Sequence, residues 1–131
     1  MGLFSRKKKQ LGAQPHQGRP WVLTIGGMPR SGFGWEDVAE ALRGLVPDAD
    51  SFVILEQKSG RDYWYIQSAI ALRGPHAGQY VVGCGWPGPE GPRLVEWYGS
   101  LQEALARFEA VWQGRTVDFS GCEDQSDWLN S

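Results

Sequence analysis

Four short hydrophobic runs between residues 51 and 98 constrain this chain more than any other feature. They are Ser51-Phe-Val-Ile-Leu-Glu-Gln57, Asp62-Tyr-Trp-Tyr-Ile-Gln-Ser-Ala-Ile-Ala-Leu72, Gln79-Tyr-Val-Val-Gly-Cys-Gly-Trp86 and Arg93-Leu-Val-Glu-Trp-Tyr98. Each is bounded by Gly, Pro or charged residues, and their β-branched and aromatic content predicts an antiparallel meander. Phe52 to Leu55 is apolar at consecutive positions, which predicts a central strand covered on both faces. In the second run Trp64, Ile66, Ile70 and Leu72 share one face, and Tyr63, Tyr65, Gln67, Ala69 and Ala71 the other. Tyr80, Val82, Cys84 and Trp86 share a face of the third run, with Gly83 and Gly85 opposite, where missing side chains permit a bulge or a close approach. In the fourth, Leu94, Glu96 and Tyr98 alternate with Val95 and Trp97. Pro87-Gly-Pro-Glu-Gly-Pro92 reads as a connection outside the ladder, because proline has no N–H to give.

Helices flank the meander. Trp35, Val38, Leu42 and Leu45 make one apolar stripe, with Glu36 and Asp37 in the first turn, where the helix dipole favours negative charge. That helix is expected to stop near Gly44, ahead of Pro47. Ser100-Leu-Gln-Glu103 is a capping box that opens a second helix, whose core stripe is Leu101, Ala104, Leu105, Phe108, Val111 and Trp112 and whose stop is Gly114. Trp21 to Ile25 is a candidate first strand, and Gly26 to Gly34 a glycine-rich loop. It is no P-loop, since no Gly-Lys-Ser/Thr follows it, and no dinucleotide loop, since an antiparallel meander lacks the βαβ context. The acidic stretch after Thr116 ends in Trp128-Leu129, with Trp128 expected to pin it to the body.

The expected architecture is a single α+β domain over residues 20–131. An antiparallel meander of four to five strands packs against two helices, and residues 1–19 form a disordered basic tail. A chain of 131 residues can bury a core without metal or disulfide. Seven tryptophans exceed what a small core usually encloses, so some rings are expected at the surface.

Charge is unevenly laid out. Residues 1–20 hold Arg6, Lys7, Lys8, Lys9 and Arg19 and no acid, although the whole chain has 13 basic and 15 acidic residues. The body is therefore acidic, which argues against a nucleic-acid groove and for a basic partner. Arg6, Lys7, Lys8 and Lys9 beside Leu3 and Phe4 are a candidate for weak contact with anionic lipid, but Arg6 stands where a myristoylation motif needs Ser or Thr. No secretory signal is visible, since an apolar core does not follow the basic start, and the expected compartment is the cytoplasm with Cys84 and Cys122 reduced. The arginine-rich, Gly- and Ala-rich body suits a GC-rich bacterial genome.

Nothing in the sequence assembles a catalytic constellation, and no cofactor or metal is expected. The acids fall at helix starts, turns and strand exits; His76 lies in a turn and Cys84 on a strand, a poor arrangement for a thiol and its base. Zinc sites show paired ligands two to four residues apart, and none occurs here. Three readings follow. The first is a non-enzymatic protein-binding module that uses Asp62, Tyr63, Tyr65, Glu96 and Trp97. The second is a small-molecule-binding domain or small enzyme, with a pocket between sheet and helix lined by Trp64 or Trp86 with Glu96 or Cys84. The third is an accessory protein tethered to a membrane or complex through Arg6 to Lys9.

Element order adds a resemblance. A Trp-Glu-Asp-Val helix, then Ser51-Phe-Val-Ile-Leu-Glu56, Tyr63-Trp-Tyr-Ile-Gln67, Gln79-Tyr-Val-Val82, a Leu101-Gln-Glu-Ala-Leu-Ala-Arg-Phe108 helix and a late Trp resemble small bacterial immunity-type proteins of polymorphic toxin systems. The resemblance spans residues 35–128 in element order. It implies a protein that neutralises a toxin by binding it, and an acidic body would suit a basic nuclease.

Overall fold

The computed structural model describes residues 12–129, the side chain of Trp128 excepted. The expected contacts of Arg6, Lys7, Lys8, Lys9 and the Trp128 ring lie outside the described residues. One antiparallel sheet holds β1 (Val22–Ile25), β2 (Met28–Arg30), β3 (Phe52–Gln57), β4 (Trp64–Ile70), β5 (Tyr80–Gly88), β6 (Gly91–Gly99) and β7 (Glu123–Asp124), in the order β2-β1-β3-β4-β5-β6-β7. Helix α1 (Trp35–Arg43) joins β2 to β3, helix α2 (Leu101–Trp112) follows β6, and a short turn, α3 (Ser126–Leu129), ends the described chain.

The α+β class is as the patterns predict, but the sheet is wider than four or five strands. Gly26 and Gly27, at φ 55° and 92°, make a two-residue turn that pairs Ile25 with Met28. Two successive residues at positive φ are what a type I′ hairpin needs, so part of the expected loop is strand. At the other edge β7 is two residues long, too short to leave a period in the sequence. Pro87 and Pro92, expected outside the ladder, face each other inside it, next to a hairpin closed by Gly88 and Gly91. A two-residue hairpin closes on a hydrogen-bonded pair, so the next pair outward needs no exchange of N–H bonds and tolerates two prolines.

Both long helices lie on one face of the sheet. Leu23, Leu55, Ile66, Cys84 and Val95 form a continuous row across five strands, and with Val53, Trp64, Val82 and Trp97 they meet Val38, Leu42, Phe108 and Val111 from the helices. The helix faces are those the stripes predict. Glu103 accepts from the Ser100 N–H at 2.8 Å while Ser100 Oγ accepts from the Glu103 N–H at 3.2 Å, which closes the capping box of α2. In α1 the Asp37 carboxylate accepts from the Gly34 N–H at 2.8 Å.

β3 departs from expectation. Val53, Leu55 and Gln57 are buried, whereas Phe52, Ile54 and Glu56 between them are half-exposed, so the strand is covered on one side alone. The tryptophans divide as expected, some rings enclosed and others partly at the surface. Trp64, Trp86 and Trp97 are buried, and Trp21, Trp35 and Trp112 pack half-buried against them.

Residues 12–19, expected to belong to a free tail, lie against the body as a strap. Gln57 Oε1 accepts from the His16 N–H at 3.0 Å, and its Nε2 donates to the carbonyls of His16 and Arg19 at 2.9 and 3.3 Å. Trp64 Nε1 donates to Ala13 O at 2.8 Å. The Gln14 amide donates to Val117 O and accepts from Val117 N–H, at 3.2 and 2.7 Å. Gly12 touches the Trp86 and Phe119 rings so closely that a Cβ would come within 2.8 Å of both. Among the described residues no helix is long and apolar enough to cross a membrane.

Candidate functional site

The face of the sheet turned away from α1 and α2 is the largest feature that the core does not consume. Strand pairing sets its rows: Val22, Glu56, Tyr65, Gly85 and Leu94 in one; Thr24, Ile54, Gln67, Gly83, Glu96 and Glu123 in the next; Phe52, Ala69, Val81 and Tyr98 in a third. Apart from Leu94 and the two glycines, the residues of its inner strands are half-exposed, in contrast to the buried residues they alternate with. A shallow depression of about 120 Å³ lies in its middle, walled by strand residues including Phe52, Gln67, Val81 and Glu96.

The glycines of β5 shape this face. A Cβ on Gly85 would lie 2.1 Å from the Tyr65 ring, so the ring rests flat on bare backbone. Tyr63 stacks beside it, with ring centroids 6.2 Å apart. Burial, followed by Tyr63, Cys84, Glu96 and Glu56, pushes the Tyr65 phenol up and keeps it neutral. At the other end, Tyr98 stacks on His76 at 3.9 Å and donates its hydroxyl proton to Glu96 at 2.8 Å. Glu96 stands directly opposite Glu123 on β7, a like-charged cross-strand pair that costs stability unless a cation comes between. His76 Nε2 lies 3.8 Å from the Glu123 carboxylate.

Burial and the hydrogen bond to Glu96 push Tyr98 up to about 12, against an ordinary 10.0. A phenol raised on folding contributes stability that is fully present below pH 10 and is lost as pH rises toward 12. Ultraviolet titration should show Tyr65 and Tyr98 ionising late, and Glu96→Gln should move Tyr98 back toward the ordinary range; four phenols titrating together would contradict the assignment.

Of the residues expected to meet a partner, the fold brings Tyr63, Tyr65 and Glu96 onto this open face. Trp97 is a correction. It points into the helix side, 5 % exposed, with its Nε1 donating to Ser120 O at 2.9 Å and the Arg107 guanidinium 4.1 Å above its ring. Strict alternation along β6 forces this, since Glu96 and Tyr98 take the other side. Asp62 is also elsewhere: it anchors the strap, accepting from His16 at 2.9 Å and lying 3.4 Å from Arg19. Phe52, Ile54, Glu56, Tyr98 and Glu123 join the face unannounced by the sequence reading, although period-two alternation from Tyr65 and Glu96 would have reached most of them.

The helix side offers less to chemistry. Cys84 and Cys122 are free thiols, and burial pushes both up, so Cys84 stays protonated at neutral pH. His76 lies against Tyr98 on the far side of the sheet from Cys84, so the two cannot act as base and nucleophile. No group of three or more His, Cys, Asp or Glu side chains among the described residues could hold a metal ion. A cavity of about 330 Å³ does lie between sheet and helix, with Ile66, Cys84 and Trp97 at its floor and Arg107 and Val111 on its helix wall. This cavity shares Cys84 with the expected pocket but neither Trp64, Trp86 nor Glu96. A polar cleft of about 420 Å³ between the strap and the end of α2 is lined by side chains already engaged, among them Gln14 with Val117, Arg19 with Asp62 and Arg115 with Gln113.

Neither a protein-family model, nor a curated protein, nor a solved structure matches this chain.

Proposed function

We propose that the chain is a non-enzymatic protein-binding module which receives a basic protein on the open face of its sheet, in the manner of an immunity-type protein neutralising a basic toxin. The observation that carries this reading is the combination, on one face that α1 and α2 leave open, of aromatic anchors with acids that no Lys or Arg among the described residues neutralises. Tyr63, Tyr65 and Tyr98 supply rigid amphipathic area, the kind that dominates binding energy at interfaces. Glu96 and Glu123 stand opposite one another with no Lys or Arg side chain bridging them among the described residues. A lysine or arginine from a partner would relieve that repulsion while the tyrosines exclude water around it. The compartment of this reading is the cytoplasm, in keeping with two free thiols.

On this proposal the adjacent reading frame encodes a basic protein, and the test is calorimetric titration of the full chain with that protein at low and moderate salt. Association should weaken with salt. Tyr65→Ala should cost about 2 kcal/mol, roughly thirtyfold in affinity, as a central aromatic anchor does. Glu96→Gln should flatten the salt dependence and slow association. Binding that ignores both substitutions and salt would refute the placement of the interface.

A further inference from the structure

The cavity between α2 and the sheet contains a cation, Arg107, for which none of the described residues supplies an acceptor. Arg107 lies half-buried with its guanidinium over the Trp97 ring at 4.1 Å. A guanidinium carries five N–H donors, and those of Arg107 find no acceptor among the described residues and are left to water at the cavity. Two carboxylates are close enough to have served. Glu103, one turn earlier on α2, instead accepts from the Ser100 N–H, and Asp118 accepts from the Ser120 N–H at 3.0 Å. Both are held below the usual carboxylate range by those backbone bonds, with Arg107 contributing least. Among the described residues no carboxylate lies within ion-pair distance of Arg107. Beside this cation Trp97, Cys84, Val111 and Val117 make an apolar wall, with Arg115 and Thr116 also in the lining.

We infer that this cavity is a binding site for a small organic monocarboxylate, whose head group takes the free donors of Arg107 and whose aryl or alkyl body lies between Trp97 and Val111. A planar guanidinium and a carboxylate match through two parallel hydrogen bonds, stronger than neutral ones. A cavity of about 330 Å³ is at the small end of those that hold organic ligands, so the body is compact. Glu103 and Asp118 also line the cavity and oppose the pull of Arg107 and Arg115 on an anion, so a singly charged head group meets less repulsion than a phosphate ester or a dicarboxylate. The site is on the opposite side of the sheet from the acidic, tyrosine-rich face, so it stands or falls independently of the protein partner.

The test titrates the full chain with 2-naphthoate and with octanoate, following tryptophan fluorescence, with 2-naphthol and octanol as uncharged counterparts. The carboxylates should bind saturably and the alcohols about tenfold more weakly, the worth of one charge-assisted hydrogen bond. Arg107→Met, which keeps the packing on Trp97 and removes the charge, should abolish that difference, and Arg107→Lys should restore part of it. Ala110→Phe, which fills the cavity from the helix wall, should eliminate binding while the circular dichroism of the fold is retained. Equal affinity for acid and alcohol, undiminished carboxylate binding to the Arg107→Met chain, or undiminished binding to a folded Ala110→Phe chain would each overturn the assignment, as would failure of both carboxylates to bind.

Discussion

Replacing Trp64 by alanine is expected to remove about 3–5 kcal/mol of folding stability, read as a fall in the denaturation midpoint with the slope unchanged. Trp64 is 1 % exposed, its ring meets the edge of Trp21 at 6.1 Å, and its Nε1–H is bonded to Ala13 O. The loss therefore combines a large cavity with an orphaned carbonyl in the strap. Trp64→Phe separates the two contributions. It keeps much of the apolar volume but leaves Ala13 O without its donor, for an expected cost of about 1–3 kcal/mol. If alanine at this position cost less than about 1 kcal/mol, within the range of ordinary surface substitutions and small cavities, the strap would not be closing the core.

Gln57→Ala is expected to cost about 2–3 kcal/mol, because it leaves buried backbone groups of the strap unpaired. Gln57 is 1 % exposed, and its amide copies a backbone bridge by accepting from His16 N and donating to His16 O. The loss should be local in its first effects. Amide exchange at His16 and proteolysis within residues 12–20 should rise well before global unfolding, since a segment held by few contacts opens at lower free energy. Gln57→Glu should be worse than alanine, as it keeps the acceptor, deletes both donations and buries a charge. Combined with Trp64→Phe, the effects should be non-additive, for the two side chains hold the same strand of backbone. Strict additivity, or a strap as protected in Gln57→Ala as before, would show that residues 12–19 are held by something other than these bonds.

Much of this fold was legible in the sequence where a period or a turn chemistry was involved. Val38 and Leu42, Ala104 and Phe108, and the Ser100–Glu103 capping box marked both long helices. Alternation placed Trp64 and Ile66 opposite Tyr65, and Val82 and Cys84 opposite Gly83 and Gly85. The Gly26-Gly27 pair lies in a stretch whose glycine density predicts a loop, and the three residues of β2 beyond it are too few to show a period. The open face was half-legible. Tyr63, Tyr65 and Glu96 are expected at a partner surface and lie on this face, whereas Trp97, expected with them, has a parity in β6 that assigns it inward.

By itself the sequence determined the elements, their caps and which side chains share a strand face, because those follow from backbone geometry over three to seven residues. The tertiary structure alone decided which face is covered. Phe52 to Leu55 is apolar enough to be buried on both sides, but α1 and α2 pack on the same side, so Phe52 and Ile54 become surface. It alone decided the fate of residues 12–19 too. Their contacts set backbone groups against side chains, the strap's carbonyls and N–H against Gln57 and Trp64 and the Gln14 amide against the Val117 backbone, across 41 to 103 residues of chain. Hydropathy and spacing cannot register such bonds, since every residue carries the same backbone groups.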